Sequence, residues 1–362
     1  MRSFLKKLLY ERVSRLADKF SSRPDKRRVD KALAALFKNI TTRPGKKGPL
    51  ISFDAAKDKF VILSDQHKGA RDGADIFAGA EKNYLAALDY YYDSLFTYIN
   101  LGDSEELWGN LFLTVKKHNK ATFDKETLFV DADRFVKIFG NHDLYWGNDP
   151  LAMLSLAEIY GKAIRIYEGA VLQTYIKGKM LSIFMTHGHQ GDLQSDGNWF
   201  SKWFVSDIWG PLQAYLRINP NTPAFNNQLK TDHNRIMYEW SSQRKDMLLV
   251  TGHTHQPVFR SFTQLENLYA RLERSKNKGE DAEAALLEKK ITALHLEGHT
   301  QPDFNGYLDT YFNTGCCCFD DGDITGIEIA DGHIRLVKWH YRHHTSERIV
   351  LEECSLEDLK LQ

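Results

Sequence analysis

Two histidines follow an apolar run in the second half of the chain, within Thr251-Gly252-His253-Thr254-His255. The preceding run, residues 246–250, has the length and composition of a buried strand. Side chains at positions i and i+2 of extended backbone point the same way, so His253 and His255 can approach one metal site. A single His-x-His pair arises easily by chance. Its weight comes from four earlier segments of the same design.

Each of these earlier segments is a short apolar run that stops at Asp, Asn, Glu or His, usually beside glycine. The side chains are Asp65 and His67 after residues 60–63, Asp103 and Glu106 after 95–101, Asn141 and His142 after 135–139, and His187 and His189 after 180–185. Ligands of α/β proteins bind at the carboxyl ends of strands. Turn chemistry explains one such cluster, but five in succession predict a shared site.

The candidate donors are carboxylate, amide and imidazole groups, with no thiolate among them. This set suits Mn²⁺, Zn²⁺, Fe or Co. It is too large for one tetrahedral ion, but sufficient for two ions about 3.5–4 Å apart that share a bridging carboxylate. Two such ions can bind a phosphate ester and acidify a bridging water, whose hydroxide attacks phosphorus in line. The pattern therefore predicts hydrolysis of a phosphoester or phosphoanhydride.

Taken together, the five blocks resemble the ordered signature of the calcineurin-like metallophosphoesterases, over roughly residues 58–260. The resemblance implies a four-layer α/β/β/α sandwich with a dimetal site at its strand ends. It implies one metal position held by Asp65, His67 and His255, a second held by Asn141, His187 and His253, and Asp103 bridging them. The implied cofactor is a pair of divalent ions, with manganese as the first expectation and zinc, iron or cobalt as alternatives.

The same resemblance implies roles for residues that are not ligands. His142 would stabilise transition-state charge or protonate the leaving group, with Glu106 as its carboxylate partner. His189 is a candidate outer contact of the metal site or a substrate contact. Trp199 and Trp203 belong to an aromatic cluster that either packs on the core or forms an apolar lid over the substrate.

Two segments also resemble the UDP-2,3-diacylglucosamine pyrophosphatases of lipid A synthesis: Gly102–Trp108 and Gly252–Pro257. That branch has arginine where this chain has His142, and this chain is much longer. A nucleotide- or lipid-linked phosphoester is therefore expected as substrate. The alternatives are a phosphoprotein phosphatase, a cyclic-nucleotide phosphodiesterase, a nuclease or a non-catalytic metal-binding scaffold.

The elements that position these residues alternate between strands and helices, which favours a layered α/β domain. Helices are predicted over 80–92 and 149–160, and a hairpin turn over 330–333. The expected organisation is a basic helical segment over 1–50, a metallophosphoesterase domain over 51–345 and a tail over 346–362. The domain would carry an aromatic cap insertion at 191–245 and a charged helical insertion at 265–300.

The amino-acid composition limits which partners and which cellular location are expected. Lys and Arg together number 48, as do Asp and Glu, so no global charge favours nucleic acid. Apolar runs stay short of the roughly 18 residues of a membrane span, and the first residues lack the pattern of a secretory signal. We expect a cytoplasmic protein, with residues 1–20 as an amphipathic helix that can contact a membrane surface. The four cysteines are interpreted as buried structural thiols of a reducing compartment.

Overall fold

The computed structural model describes residues 25–149, 151–191, 227–263, 280–295 and 307–362, with five further residues between 268 and 276. In chain order the strands are β1 (Leu50–Ser52), β2 (Phe60–Leu63), β3 (Thr97–Leu101), β4 (Phe135–Ile138), β5 (Ile166–Tyr167), β6 (Gly169–Ile176), β7 (Lys179–Thr186), β8 (Met247–Thr251), β9 (Val258–Phe259), β10 (Phe262–Thr263), β11 (Tyr311–Asn313), β12 (Ile324–Ala330), β13 (His333–Arg342) and β14 (Thr345–Ser355).

The helices lie between and around these strands. They are α1 (Lys26–Thr42), α2 (Glu81–Asp93), α3 (Phe112–His118), α4 (Lys120–Asp131), α5 (Tyr145–Asn148), α6 (Ala152–Tyr160), α7 (Asn227–Ser242) and α8 (Asp281–His295), with a 3₁₀ turn at Phe77–Gly79. No helix within these described ranges is long and apolar enough to cross a bilayer.

The strands form two seven-stranded mixed sheets, ordered β14-β13-β12-β2-β3-β4-β5 and β1-β6-β7-β8-β11-β9-β10. In the first sheet β2, β3, β4 and β5 run parallel, and in the second β7, β8 and β11 do. Their carboxyl ends carry the five sequence blocks. Both sheets therefore present their ligand-bearing loops where parallel strands end.

Side-chain alternation along the strands builds the layers between and outside the two sheets. Ile62 and Ile99 of the first sheet pack with Ile183 and Leu248 of the second in one buried cluster. The opposite face of the first sheet packs on α2 and α4, and that of the second on α1 and α7. The predicted α/β/β/α sandwich is thereby confirmed.

Three predicted boundaries differ in the structure. Helix α1 buries Val29 and Leu33 against the second sheet, so the part of residues 1–50 after residue 25 belongs to the sandwich. Helix α7 buries Met237 and Trp240 in the same layer, so an insertion over 191–245 does not extend past residue 226. Strand β14 pairs with β13 along its whole length, which places most of the predicted tail in the sheet.

Candidate metal centre

The five ligand-bearing loops meet where strands of both sheets end, and several site residues have left-handed backbone. The φ angles are 55° at Asp65, 51° at His67, 50° at Asp103, 69° at His253 and 57° at His255. Such backbone is strained for residues other than glycine, and it clusters at functional sites. The loops therefore hold these residues in a strained backbone conformation, with their side chains at the ends of the strands.

Asp103 lies at the middle of the cluster. Its Oδ2 atom is 3.2 Å from Nε2 of His187 and 3.7 Å from Nε2 of His67. Its other oxygen, Oδ1, accepts a hydrogen bond of 2.8 Å from the backbone N–H of His142. One carboxylate thus faces histidines from two sides, which is the arrangement that a bridging ligand requires.

The first set of candidate ligands comprises Asp65, His67 and His255. Nε2 of His255 lies 3.2 Å from Oδ1 of Asp65 and 3.2 Å from Nε2 of His67. Asp65 is held by its second oxygen, which accepts a 3.0 Å hydrogen bond from the backbone N–H of His253. These nitrogen and oxygen atoms are close enough to share one cation.

The second set comprises Asn141, His187 and His253. Nε2 of His187 lies 3.2 Å from Oδ1 of Asn141, while its Nδ1 lies 3.0 Å from the carbonyl oxygen of Leu101. A hydrogen bond from Nδ1–H to that carbonyl leaves Nε2 as the donor atom for a metal. Ligand atoms of Asp103, His187 and His253 all lie within 4.8 Å of one another.

The residues present fit a pair of divalent cations. Oδ1 of Asp65 is buried and faces imidazole nitrogens, with Nε2 of His255 at 3.2 Å and Nε2 of His67 at 3.9 Å. The donors are oxygen and imidazole nitrogen, the set that borderline divalent ions prefer. All seven predicted ligands come together, and their coordination of metal stays a prediction.

The protonation of the cluster reflects its buried carboxylates. Burial disfavours a charged imidazole, but Asp103 and Asp65 raise the pKa of His187 to about 9. Against the same burial penalty, Asp65 raises the pKa of His255 to about 10. Both histidines therefore carry a proton at neutral pH, in the place where a cation would sit.

His142 lies beside the candidate metal ligands and has two partners of its own. Its Nδ1 atom lies 2.7 Å from Oε2 of Glu106, and its ring stacks on Trp108 at 4.4 Å. Glu106 and Asp103 overcome the effect of burial and raise the pKa of His142 to about 9. The ring is about one quarter exposed, so His142 can present a proton to a bound substrate.

The three predicted substrate contacts fare differently. His189 is 2% exposed, and its ring lies 5.4 Å from that of His187. Burial, followed by the charge of His187, lowers the pKa of His189 to about 3. Its position beside His187 fits an outer contact of the candidate metal centre, and the substrate contact stays a prediction. Trp199 and Trp203 lie outside the described residues.

Sequence reasoning missed two thiols at this site. All four cysteines are buried, as expected, but Sγ of Cys318 lies 3.6 Å from Nδ1 of His255. Ligand atoms of His67, His255 and Cys318 lie within 4.8 Å of one another. The prediction of a donor set without sulfur stays a prediction, but the sequence analysis did not anticipate a thiol beside His255. The i, i+2 spacing of Cys316 and Cys318, just after the Asn313-Thr314-Gly315 turn, was the available signal.

A buried ion network behind the site was also missed. Nζ of Lys68 lies 3.2 Å from Oε1 of Glu105, and Nζ of Lys137 lies 2.9 Å from the same oxygen. Lys68 also pairs with Glu126 at 2.6 Å. All four side chains are fully buried. The network joins the ends of β2 and β3 to β4 and α4, and so fixes the loops that carry His67 and Asp103.

No family model matches this chain, and a search of curated proteins gives no match either. Among solved structures the chain is similar to vacuolar protein sorting 29 from Cryptosporidium parvum, with 13% identity and a TM-score of 0.31 over 82% of this chain and 98% of the other. It is similar to a dimetal phosphatase from Danio rerio, with 8% identity and a TM-score of 0.36 over 82% and 99%. A single-site variant of Vps29 from Entamoeba histolytica has 14% identity and a TM-score of 0.29 over 81% and 99%.

Proposed function

We propose that this protein is a dimetal-dependent phosphoesterase. The observation that carries the proposal is the position of Asp103, whose Oδ2 faces His187 on one side and His67 on the other. Each side is completed by further nitrogen and oxygen donors. Seven residues from five loops thus form two adjoining ligand sets, and such a pair of sets is suited to hold two cations.

When bound, two divalent cations would supply charge for the phosphoryl oxygens and an acidified water as nucleophile. The residues of the chain hold the candidate ligands in position. Hydrogen bonds to Leu101 and to the backbone N–H groups of His142 and His253 fix His187, Asp103 and Asp65 in place. The ligands therefore need little rearrangement when cations bind.

His142 serves as the proton donor of the proposed reaction. Its Nδ1 faces Glu106, so the proton available to substrate is the one on Nε2. The pKa of about 9 keeps the ring protonated at neutral pH. From this position Nε2–H donates to a phosphoryl or leaving-group oxygen, and a proton transferred there neutralises the departing alkoxide.

The finer proposal is a phosphoester or pyrophosphate bond in a nucleotide- or lipid-linked substrate. It is supported by the likeness of residues 102–108 and 252–257 to pyrophosphatases that act on a lipid-linked nucleotide. It is also supported by exposed apolar side chains near the chain segments that hold Trp108 and His142: Leu111, Leu113, Leu151, Met153 and Leu154, each at least 60% exposed. Lys116 of α3 and Glu158 of α6 form an ion pair, so the helices that carry Leu113, Met153 and Leu154 are neighbours.

A non-catalytic scaffold is the competing function. Proteins that have lost catalysis commonly lack a ligand or the proton-donating histidine, and here each of these positions is filled. Glu106 also keeps His142 protonated, and Trp108 stacks on its ring. A scaffold needs neither contact. The arrangement therefore favours an enzyme.

The test is hydrolysis by protein reconstituted with Mn²⁺, and then with Zn²⁺, Co²⁺ or Fe²⁺. The panel contains a phosphomonoester, a phosphodiester, a cyclic nucleotide, a phosphopeptide, single-stranded DNA, UDP-sugars and UDP-diacylglucosamine. We expect metal-dependent turnover that H142A lowers by about 100-fold or more and that H343A, at an exposed turn, leaves unchanged. Turnover of none of these substrates by protein that binds two ions would favour the scaffold.

A further inference from the structure

The cysteine run Cys316-Cys317-Cys318 crosses the metal centre between β11 of one sheet and β12 of the other. The backbone N–H of Cys317 lies 3.1 Å from the carbonyl oxygen of Ser64 and 3.2 Å from that of Asp65. The run is therefore packed directly on the loop that carries the first candidate ligand. Its side chains alternate, and this alternation separates the three thiols into two groups.

Cys317 points away from the metal centre. Its side chain belongs to the outer core that includes Leu63, Tyr84 and Ile324, and its Sγ contacts the carbonyl oxygen of Thr325. Cys316 and Cys318 point to the other side, towards His255. The thiol of Cys316 is adjacent to the side chains of both Cys318 and His255.

The two nitrogens of His255 have different surroundings. Nε2 faces Asp65 and His67 at 3.2 Å each, whereas Nδ1 lies 3.6 Å from Sγ of Cys318. A histidine that binds metal through one nitrogen usually donates the other N–H to an oxygen acceptor that orients the ring. Here sulfur takes that place, and sulfur can be oxidised.

We propose that Cys316 and Cys318 form a thiol pair that positions His255, and that oxidation of the pair to a disulfide releases the cation held by His255. This inference rests on the proposed metal centre. Oxidation by a hydroperoxide converts one thiol to a sulfenic acid and the peroxide to its alcohol or water. The second thiol then attacks the sulfenic sulfur, which expels water and closes the disulfide.

The geometry of the run permits this bond. Two residues of fully extended chain span about 6.6 Å, which is close to the upper limit of about 6.8 Å for the Cα separation across a disulfide. The chain also bends at Cys317, which shortens the span. Closing the bond draws both sulfurs towards each other and away from Nδ1 of His255, so the ring loses the contacts that hold it towards Asp65.

The experiment uses the full-length protein loaded with Zn²⁺, because zinc itself has no redox chemistry. The reduced protein is treated with hydrogen peroxide, passed over a chelating resin, and analysed for zinc content and for disulfides by mass spectrometry. We expect the wild type to form the 316–318 disulfide and lose about one of its two zinc ions. Reduction with dithiothreitol and added Zn²⁺ should restore both.

Three variants make the result specific. C317S is the matched control and should behave like the wild type, because its side chain points away from the centre. C316S and C318S should form no such disulfide and keep both ions after peroxide. In untreated protein, C318A should bind the affected ion about 10- to 100-fold more weakly, whereas C318S should bind normally because its hydroxyl can accept the Nδ1–H.

The opposing results are distinct. A wild type that forms the disulfide and keeps both ions, or a C316S protein that loses zinc as readily as the wild type, overturns the inference and leaves the metal centre intact. Reduced wild type that binds no zinc, manganese, cobalt or iron overturns both the metal centre and the inference.

Discussion

The Nδ1 atom of His142 lies 2.7 Å from Oε2 of Glu106, and the same oxygen lies 3.2 Å from Nδ1 of His67. One carboxylate thus joins the proton donor of the proposed reaction to a ligand of the proposed metal centre. The charge of Glu106 keeps His142 protonated, so this contact sets the pH range in which His142 can act.

The first prediction concerns E106Q. Loss of the carboxylate charge lowers the pKa of His142 from about 9, so activity should decline at a lower pH on the alkaline side. We expect kcat at neutral pH to fall about tenfold, since the donor itself stays in place. The measurement is kcat/KM against pH, with metal content determined in parallel. E347Q, at an exposed position of β14, is the control, and an unchanged alkaline limb in E106Q would show that Glu106 does not govern His142.

A second prediction concerns protons released on metal binding. His187 and His255, with pKa values of about 9 and 10, are protonated at pH 7 in the metal-free protein. Cations bind the deprotonated rings, so binding should release protons and its affinity should rise with pH. Titration calorimetry in buffers of different ionisation enthalpy measures the number released. A value near zero at pH 7 would contradict this account of the cluster.

The third prediction tests the approach of Gly140 to Asp103. A Cβ atom on Gly140 would lie 2.1 Å from Oδ1 and 2.6 Å from the backbone nitrogen of Asp103, so G140A must displace the Asp103 carboxylate. We expect G140A to bind metal weakly and to lose activity. G109A is the matched control because a Cβ there meets nothing within 4 Å. Normal metal content in G140A would mean that Asp103 can move without harm.

A fourth prediction follows from the buried ion network. Burial alone would raise the pKa of Glu105, but Lys137 and Lys68 lower it from 4.5 to about 2. Glu105 therefore adds stability that is fully present above pH 4.5 and is lost as pH falls through about 2. E105Q should lower the free energy of unfolding by about 3–5 kcal/mol at neutral pH, and the difference from wild type should shrink in acid. Urea unfolding at several pH values measures this, and a constant difference would contradict it.

The sequence was informative where local pattern and tertiary structure agree. Strand β2 spans the predicted residues 60–63, and the turn at Asp331-Gly332, with φ angles of 54° and 73°, has the left-handed residues of a tight hairpin. The ligand blocks were recognisable because carboxyl ends of parallel strands converge. Their residue types alone indicated a metal site and phosphoester hydrolysis.

The sequence was less informative where long-range packing decides the outcome. Strand β6 follows β5 after one residue and carries no charged or metal-binding side chain to mark it, and β14 carries charges of both signs that resemble a polar tail. The buried Lys68 and Lys137 cannot be distinguished from surface lysines without the partners Glu105 and Glu126. The contact of Cys318 with His255 depends on a crossing between two sheets, which no local pattern encodes.

The most direct test of the central claim is the number of metal ions bound per chain. Protein reconstituted with Mn²⁺ or Zn²⁺ and freed of excess ion should hold two ions. D103N should hold at most one, because a neutral amide is a poor bridge between two cations. D331N, which changes an exposed turn that asparagine accepts, should hold two. Two ions in D103N, or fewer than two in the wild type with every metal tried, would contradict the proposed Asp103-bridged centre.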